Sequence, residues 1–202
     1  MRVITATTIL ALIISAVGAG ASRAAHAEAA AVRNCTWCHG AAAQGYNPAP
    51  RLAGQTRQYI ESQIRTFQSH LRDSPDSQQY MWAAVEHVSP QRAQNLAAYF
   101  STLPPRAAND GLHELVTTGQ SIYRDGIPEA NIVACIACHG PNAEGAGEIP
   151  RLGGLGYTYL KRRLKQWGEG YNAAARHPMP HVASQLSRQQ IEALASYLSF
   201  IQ

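Results

Sequence analysis

Cys35-Thr36-Trp37-Cys38-His39 and Cys135-Ile136-Ala137-Cys138-His139 stand 100 residues apart in a chain of 202. In each, cysteines at i and i+3 are followed at once by histidine, the pattern of covalent haem attachment. On one helical turn both thiols face the same side, so both reach the vinyl groups of a single porphyrin and form thioethers. The histidine then projects over the ring face and binds iron. The chain has four cysteines, and the two motifs use all of them.

Other chemistries of paired cysteines compete. Two Cys-x-x-Cys pairs could form a four-cysteine zinc site, but zinc does not require a histidine directly after each second cysteine. A thioredoxin-type redox pair needs a surrounding βαβ pattern, which is missing. Structural disulfides suit an oxidising compartment, yet two bridges of adjacent-turn cysteines, each followed by His, are a poor account of the pattern.

Outward from the motifs, the chain repeats itself. Pro50-Arg51-Leu52 returns as Pro150-Arg151-Leu152, Gly54 as Gly154 and Tyr59 as Tyr159. Past a two-residue indel the offset is 98: Met81 matches Met179, Ser89 matches Ser187, and Tyr99 matches Tyr197. The joint, residues 104–111, reads Pro-Pro-Arg-Ala-Ala-Asn-Asp-Gly, a linker composition. It divides the chain into a first domain over 28–103 and a second over 112–202. Each is too small for a generous core of its own, and a large buried cofactor supplies the missing apolar contact.

The units read as all-α. Ile60, Ile64, Phe67 and Leu71 form one helical stripe, repeated by Leu160, Leu164 and Trp167. A last helix carries Leu96, Tyr99, Phe100 and Leu103 in one unit and Ile191, Leu194, Leu198 and Ile201 in the other. Ser89-Pro90 is a cap with a first-turn proline, and Ser187 with Gln190 reads as a capping box. Alternating strand patterns are nearly absent.

The other axial ligand follows from counting. Beyond Met1 the chain has only Met81 and Met179, which lie 42 and 40 residues after His39 and His139. A lone methionine is usually core filler. Two at equivalent places in a haem-binding repeat are expected as axial ligands. Their rivals, His70 and His87 near one and His177 and His181 near the other, have no counterparts across the repeat. Pro50 and Pro150, each 11 residues after its histidine, are expected to offer a carbonyl to the ring N–H that does not face iron. Arg51, Tyr59, Arg151 and Tyr159 are expected as haem propionate partners.

The N-terminus reads as an export signal over residues 1–27. Arg2 precedes an uncharged run from Val3 to Ala21, with exits after Ala21 or Ala27. The mature protein is thus expected in the periplasm, membrane-associated only if this segment is retained. The formal charge of +4 misleads. Cleavage after Ala27 leaves 15 basic against 13 acidic residues, and four propionates bring the balance to about −2, which gives no argument for nucleic-acid binding. Lys161-Arg162-Arg163-Leu164-Lys165 is expected as a solvated helix face, the alternative being a partner-docking or propionate-contacting patch.

Taken together, CTWCHG and CIACHG, PAPRLAGQ and IPRLGGL, the methionine segments and the closing helices LAAYFSTLPP and LASYLSFIQ resemble the dihaem class I cytochromes of the cytochrome c4 family. That resemblance implies two cytochrome c domains in pseudo-twofold arrangement, with propionate edges turned toward each other. It implies two covalently bound haem c groups, with His39 and Met81 serving the first and His139 and Met179 the second. It also implies that Gly119 and Tyr123 pack against the last helix, and that electrons pass to redox protein partners such as a terminal oxidase. His/Met ligation saturates the iron and leaves no position for a substrate, so an electron carrier is expected. The alternatives are a dihaem subunit of a periplasmic dehydrogenase complex and, with one labile ligand, a peroxidase-like enzyme or gas sensor.

Overall fold

The last helix of each unit shows how the sequence sets the architecture. Ser89 accepts the Arg92 N–H and Pro90 follows it, starting the helix Pro90–Thr102. Ser187 and Gln190 form a complete capping box at the start of Arg188–Phe200. Such caps contribute about 1 kcal/mol each. These are α4 and α9 of a computed structural model that describes residues 29–175 and 178–202. The expected signal segment and the rival ligand His177 lie outside the described residues.

Before α4 come α1 (residues 29–39), α2 (Arg57–Gln68) and a π-turn, Ser77–Met81, that runs into α3 (Trp82–Val85). The second unit has α5 (Val116–Asp125), α6 (Ile136–His139), α7 (Tyr157–Gly168) and α8 (Met179–Ser184) before α9. No strand occurs among the described residues, only isolated bridges, so the all-α expectation holds. No described helix is long and apolar enough to cross a membrane.

Two buried clusters form. The first gathers Ile60, Ile64, Phe67, Val85, Leu96 and Phe100; the second gathers Tyr123, Leu160, Leu164, Ile191, Leu194 and Leu198. The helical stripes supply both, with two departures. Leu71 lies beyond α2, where His70 takes φ +58°, and is 39% exposed. Tyr99 turns away from the side that buries Leu96 and Phe100. In the second unit α5 lies on α9 at Gly119, where an added Cβ would stand 2.7 Å from Tyr197 Cβ. Tyr123 is fully buried there, and its hydroxyl donates to the Gly140 carbonyl at 2.6 Å.

The units meet through specific polar bonds. Gln55 donates to the Arg151 carbonyl at 3.0 Å and accepts the Arg151 N–H at 2.7 Å. Residues 104–111 are laced to both sides: Gln44 pairs with the Pro104 carbonyl and the Arg106 N–H, and Asp110 accepts from the Tyr157 N–H. The basic run on α7 corrects one expectation. Arg163 is buried, and Arg162 pairs with Asp76 of the first unit at 2.9 Å. Only Lys165 stands in solvent as a solvated face requires; the helix turns its two arginines toward the other unit.

Candidate functional site

His39 ends α1, and Gly40, at φ +84°, turns the chain back. The following loop closes through Gly45 N–H to the His39 carbonyl (2.8 Å) and Leu52 N–H to the Ala43 carbonyl (2.9 Å). This fold brings Pro50 beneath the imidazole. His39 Nδ1 donates to the Pro50 carbonyl at 2.6 Å. A carbonyl only accepts, so the proton is on Nδ1 and the Nε2 lone pair is free for a metal. Burial lowers the His39 pKa below the usual histidine value, against the pull of the Pro50 bond, which keeps the ring neutral.

The second unit repeats this construction. Gly145 N–H reaches the His139 carbonyl and Leu152 N–H the Ala143 carbonyl, both at 2.8 Å; His139 Nδ1 donates to the Pro150 carbonyl at 3.0 Å. Glycine is required in the loop: Gly45 has φ +76°, and a Cβ there would stand 2.6 Å from the Pro50 carbonyl carbon. Gly45 and Gly145 were legible as a matched pair at the same 100-residue offset, but nothing in the spacing alone ties them to the histidine.

Cys35 and Cys135 are half-buried beside these turns, and burial pushes both thiols up to about 11. That is the opposite of a reactive redox cysteine, whose pKa is depressed. No two of the four cysteines are bonded to each other. Among the described residues no three His, Cys, Asp or Glu side chains gather as a metal set, so the disulfide and zinc arrangements lack their geometry.

A cavity of about 870 Å³ opens over His39, lined by Cys35, Cys38, Met81 and the apolar Leu52, Ile64, Phe67, Leu96 and Phe100. This is within the roughly 300–1,000 Å³ of small-molecule and cofactor sites. Thiols, a neutral imidazole with a free Nε2, a thioether and apolar walls fit a covalently held haem. Met81 closes the π-turn and packs on the first core; Met179 opens α8 and packs on the second. Neither His70, stacked on Trp82 at 3.9 Å, nor His87, exposed beside Glu86, lines the cavity. His181 is exposed and bonded to Gln185.

Of the four expected propionate partners, Tyr59, Tyr159 and Arg51 line this cavity. Arg51, however, donates to the backbone carbonyls of Arg106, Gly153 and Gly154 across the unit boundary. Arg151 does not line the cavity, and its backbone pairs with Gln55. Four other arginines line it as well: Arg33, Arg162, Arg163, and Arg72, whose Nη2 donates to the Tyr159 hydroxyl at 3.3 Å. Arg163 was hidden inside a basic run, and Arg72 has no basic counterpart in the repeat.

The family model for cytochrome c matches the chain twice, over residues 24–104 and 116–201. A cytochrome c4 from Thiocapsa roseopersicina is 35% identical over 179 residues, 85% of this chain and 88% of that protein. A thiosulfate dehydrogenase electron acceptor from Thiomonas intermedia (strain K12) is 34% identical over 205 residues, 98% of this chain and 90% of that protein. Among solved structures, a cytochrome c4 from Acidithiobacillus ferrooxidans superposes with a TM-score of 0.77 at 31% identity, covering 83% of this chain and 98% of that one.

Proposed function

Since the chain belongs to the cytochrome c family, in its dihaem cytochrome c4 branch, and carries two covalently bound haem c groups, we propose that it is an exported shuttle for single electrons. Electrons enter from a periplasmic dehydrogenase and leave to a terminal oxidase. The observation that carries this reading is the matched pair of sites: in each unit a buried histidine gives Nδ1–H to a proline carbonyl, and a methionine packs on the adjoining core.

Cys35 and Cys38 hold the first haem, and Cys135 and Cys138 the second. His39 with Met81, and His139 with Met179, bind the two irons. Haem supplies a one-electron iron couple. The chain's part is to fix both ligands so that little rearranges when the charge changes, and to keep water from the buried faces. Pro50 and Pro150 hold the imidazole tautomer and ring plane.

A second reading, an electron-accepting subunit of a dehydrogenase complex, draws on the similarity to the thiosulfate dehydrogenase electron acceptor, which runs through 98% of this chain. Mixing the oxidised protein with a thiosulfate dehydrogenase and thiosulfate, then with oxidase-containing membranes, tests both. Reduction by two electrons per chain and subsequent reoxidation support the shuttle. Reduction without reoxidation, with co-purification of the dehydrogenase, favours the subunit. A chain that is neither reduced nor reoxidised overturns both.

A further inference from the structure

The cavity over His39 is finished by the other unit: Tyr159, Arg162, Arg163 and Gln166 of α7 line it together with Arg72 of the first unit. Arg163 is 6% exposed. Its Nη1 donates to Gln166 Oε1 at 3.1 Å and Ser74 Oγ at 3.4 Å, and its guanidinium lies 4.6 Å over the Trp167 ring. Arg72 donates to Gln63 Oε1 at 2.6 Å and to the Tyr159 hydroxyl, and lies over Phe67; its Nε is buried without a partner.

None of those partners is a carboxylate; the Tyr59 and Tyr159 hydroxyls hold the Arg72 pKa up against its burial. Among the described residues no carboxylate lies within ion-pair distance of either arginine. Neighbouring Arg162 shows what compensation looks like here, since it takes Asp76 at 2.9 Å. Amides and hydroxyls orient a guanidinium but leave its charge uncancelled, and a buried charge without a counter-ion is costly. Burial, and then repulsion from Arg72, pull the Arg163 pKa down to about 10. Two such cations in one cavity call for an anion with more than one negative charge.

The pair is not a relic of the repeat. Gln63 occupies the place of Arg163 in the first unit. The Arg72 N–H reaches the Thr66 carbonyl, and in the second unit the Tyr171 N–H reaches the equivalent Gln166 carbonyl, so Tyr171 stands where Arg72 would. Each unit contributes one cation from a non-equivalent position, and both line the same cavity. Resting on the haem reading above, we propose that Arg72 and Arg163 jointly bind the propionate carboxylates of the first haem, so that the second domain completes the first haem's site. Cations at the propionates favour the reduced haem, and docking of the two domains thereby raises the first potential.

The test is spectroelectrochemical titration of the holoprotein in a Met179→His background, where the second couple is displaced and the remaining one belongs to the first haem. Arg163→Gln is expected to lower that remaining midpoint and to shift the propionate carboxylate bands in the redox-difference infrared spectrum. Arg163→Lys is expected to restore most of the potential, and Lys165→Gln, exposed on the same helix, to change neither readout. If Arg163→Gln does not accumulate, Arg72→Gln reads the same site from the first domain. An unmoved midpoint and unmoved bands, in a variant retaining both haems, would overturn the proposal. Failure of Met179→His to displace any couple would instead strike the ligand assignment on which it rests.

Discussion

His39 Nδ1 lies 2.6 Å from the Pro50 carbonyl oxygen, 11 residues along the chain, and this bond fixes which ring nitrogen can face a metal. The loop that makes it is closed by backbone bonds and a glycine at positive φ, so local geometry controls the ligand.

Gly45→Ala therefore strains a left-handed position and drives a methyl group into the Pro50 carbonyl. A loss of about 2 kcal/mol is expected, seen as a lower midpoint in urea unfolding of the holoprotein. A variant as stable as the parent would show that the loop tolerates the added Cβ.

Tyr123→Phe keeps the packing against Tyr197 but leaves the Gly140 carbonyl without its 2.6 Å donor. The expected cost is ~1–2 kcal/mol, falling on the second unit. It is read from hydrogen exchange, where amides of α5 and α9 lose protection and those of α2 and α4 keep theirs.

Gln55→Leu places in the first unit the residue type that the repeat has at Leu155. It removes both bonds to Arg151 and buries the freed groups, at a cost of ~2–4 kcal/mol. Calorimetry is expected to show a single transition for the parent and two for the variant, because the units lose a reciprocal pair of hydrogen bonds. A single transition unchanged in width would count against this role.

Met81→Ala and Met179→Ala each open one iron position if the methionines are the ligands. Each variant is expected to take up one carbon monoxide per chain when reduced, and the double variant two. A single variant that remains closed would show that another side chain ligates that iron.

Much of this was written in the sequence, for physical reasons. Covalent attachment demands fixed cysteine spacing, and the tandem repeat puts Met81 and Met179 at matched positions. The capping box at Ser187 was legible because it is local, and the Gly119–Tyr123 packing only through the family resemblance. What escaped reading depends on the face one unit turns to the other. Arg162 and Arg163 read as solvated because nothing in their own helix says that the first unit covers them. Arg51 lines the cavity yet spends its hydrogen bonds on carbonyls that only the docking of the units brings near. Leu71 fell outside α2 because His70 leaves helical backbone one residue earlier, which periodicity cannot see.

The central claim is two closed iron sites per chain, and the most direct measurement is the optical spectrum of the reduced holoprotein before and after carbon monoxide, with haem quantified against protein. The account predicts two c-type haems per chain and a low-spin spectrum that carbon monoxide leaves unchanged. A single haem per chain, or ready carbon monoxide binding by the unaltered protein, would contradict it and bring the enzyme or sensor reading forward.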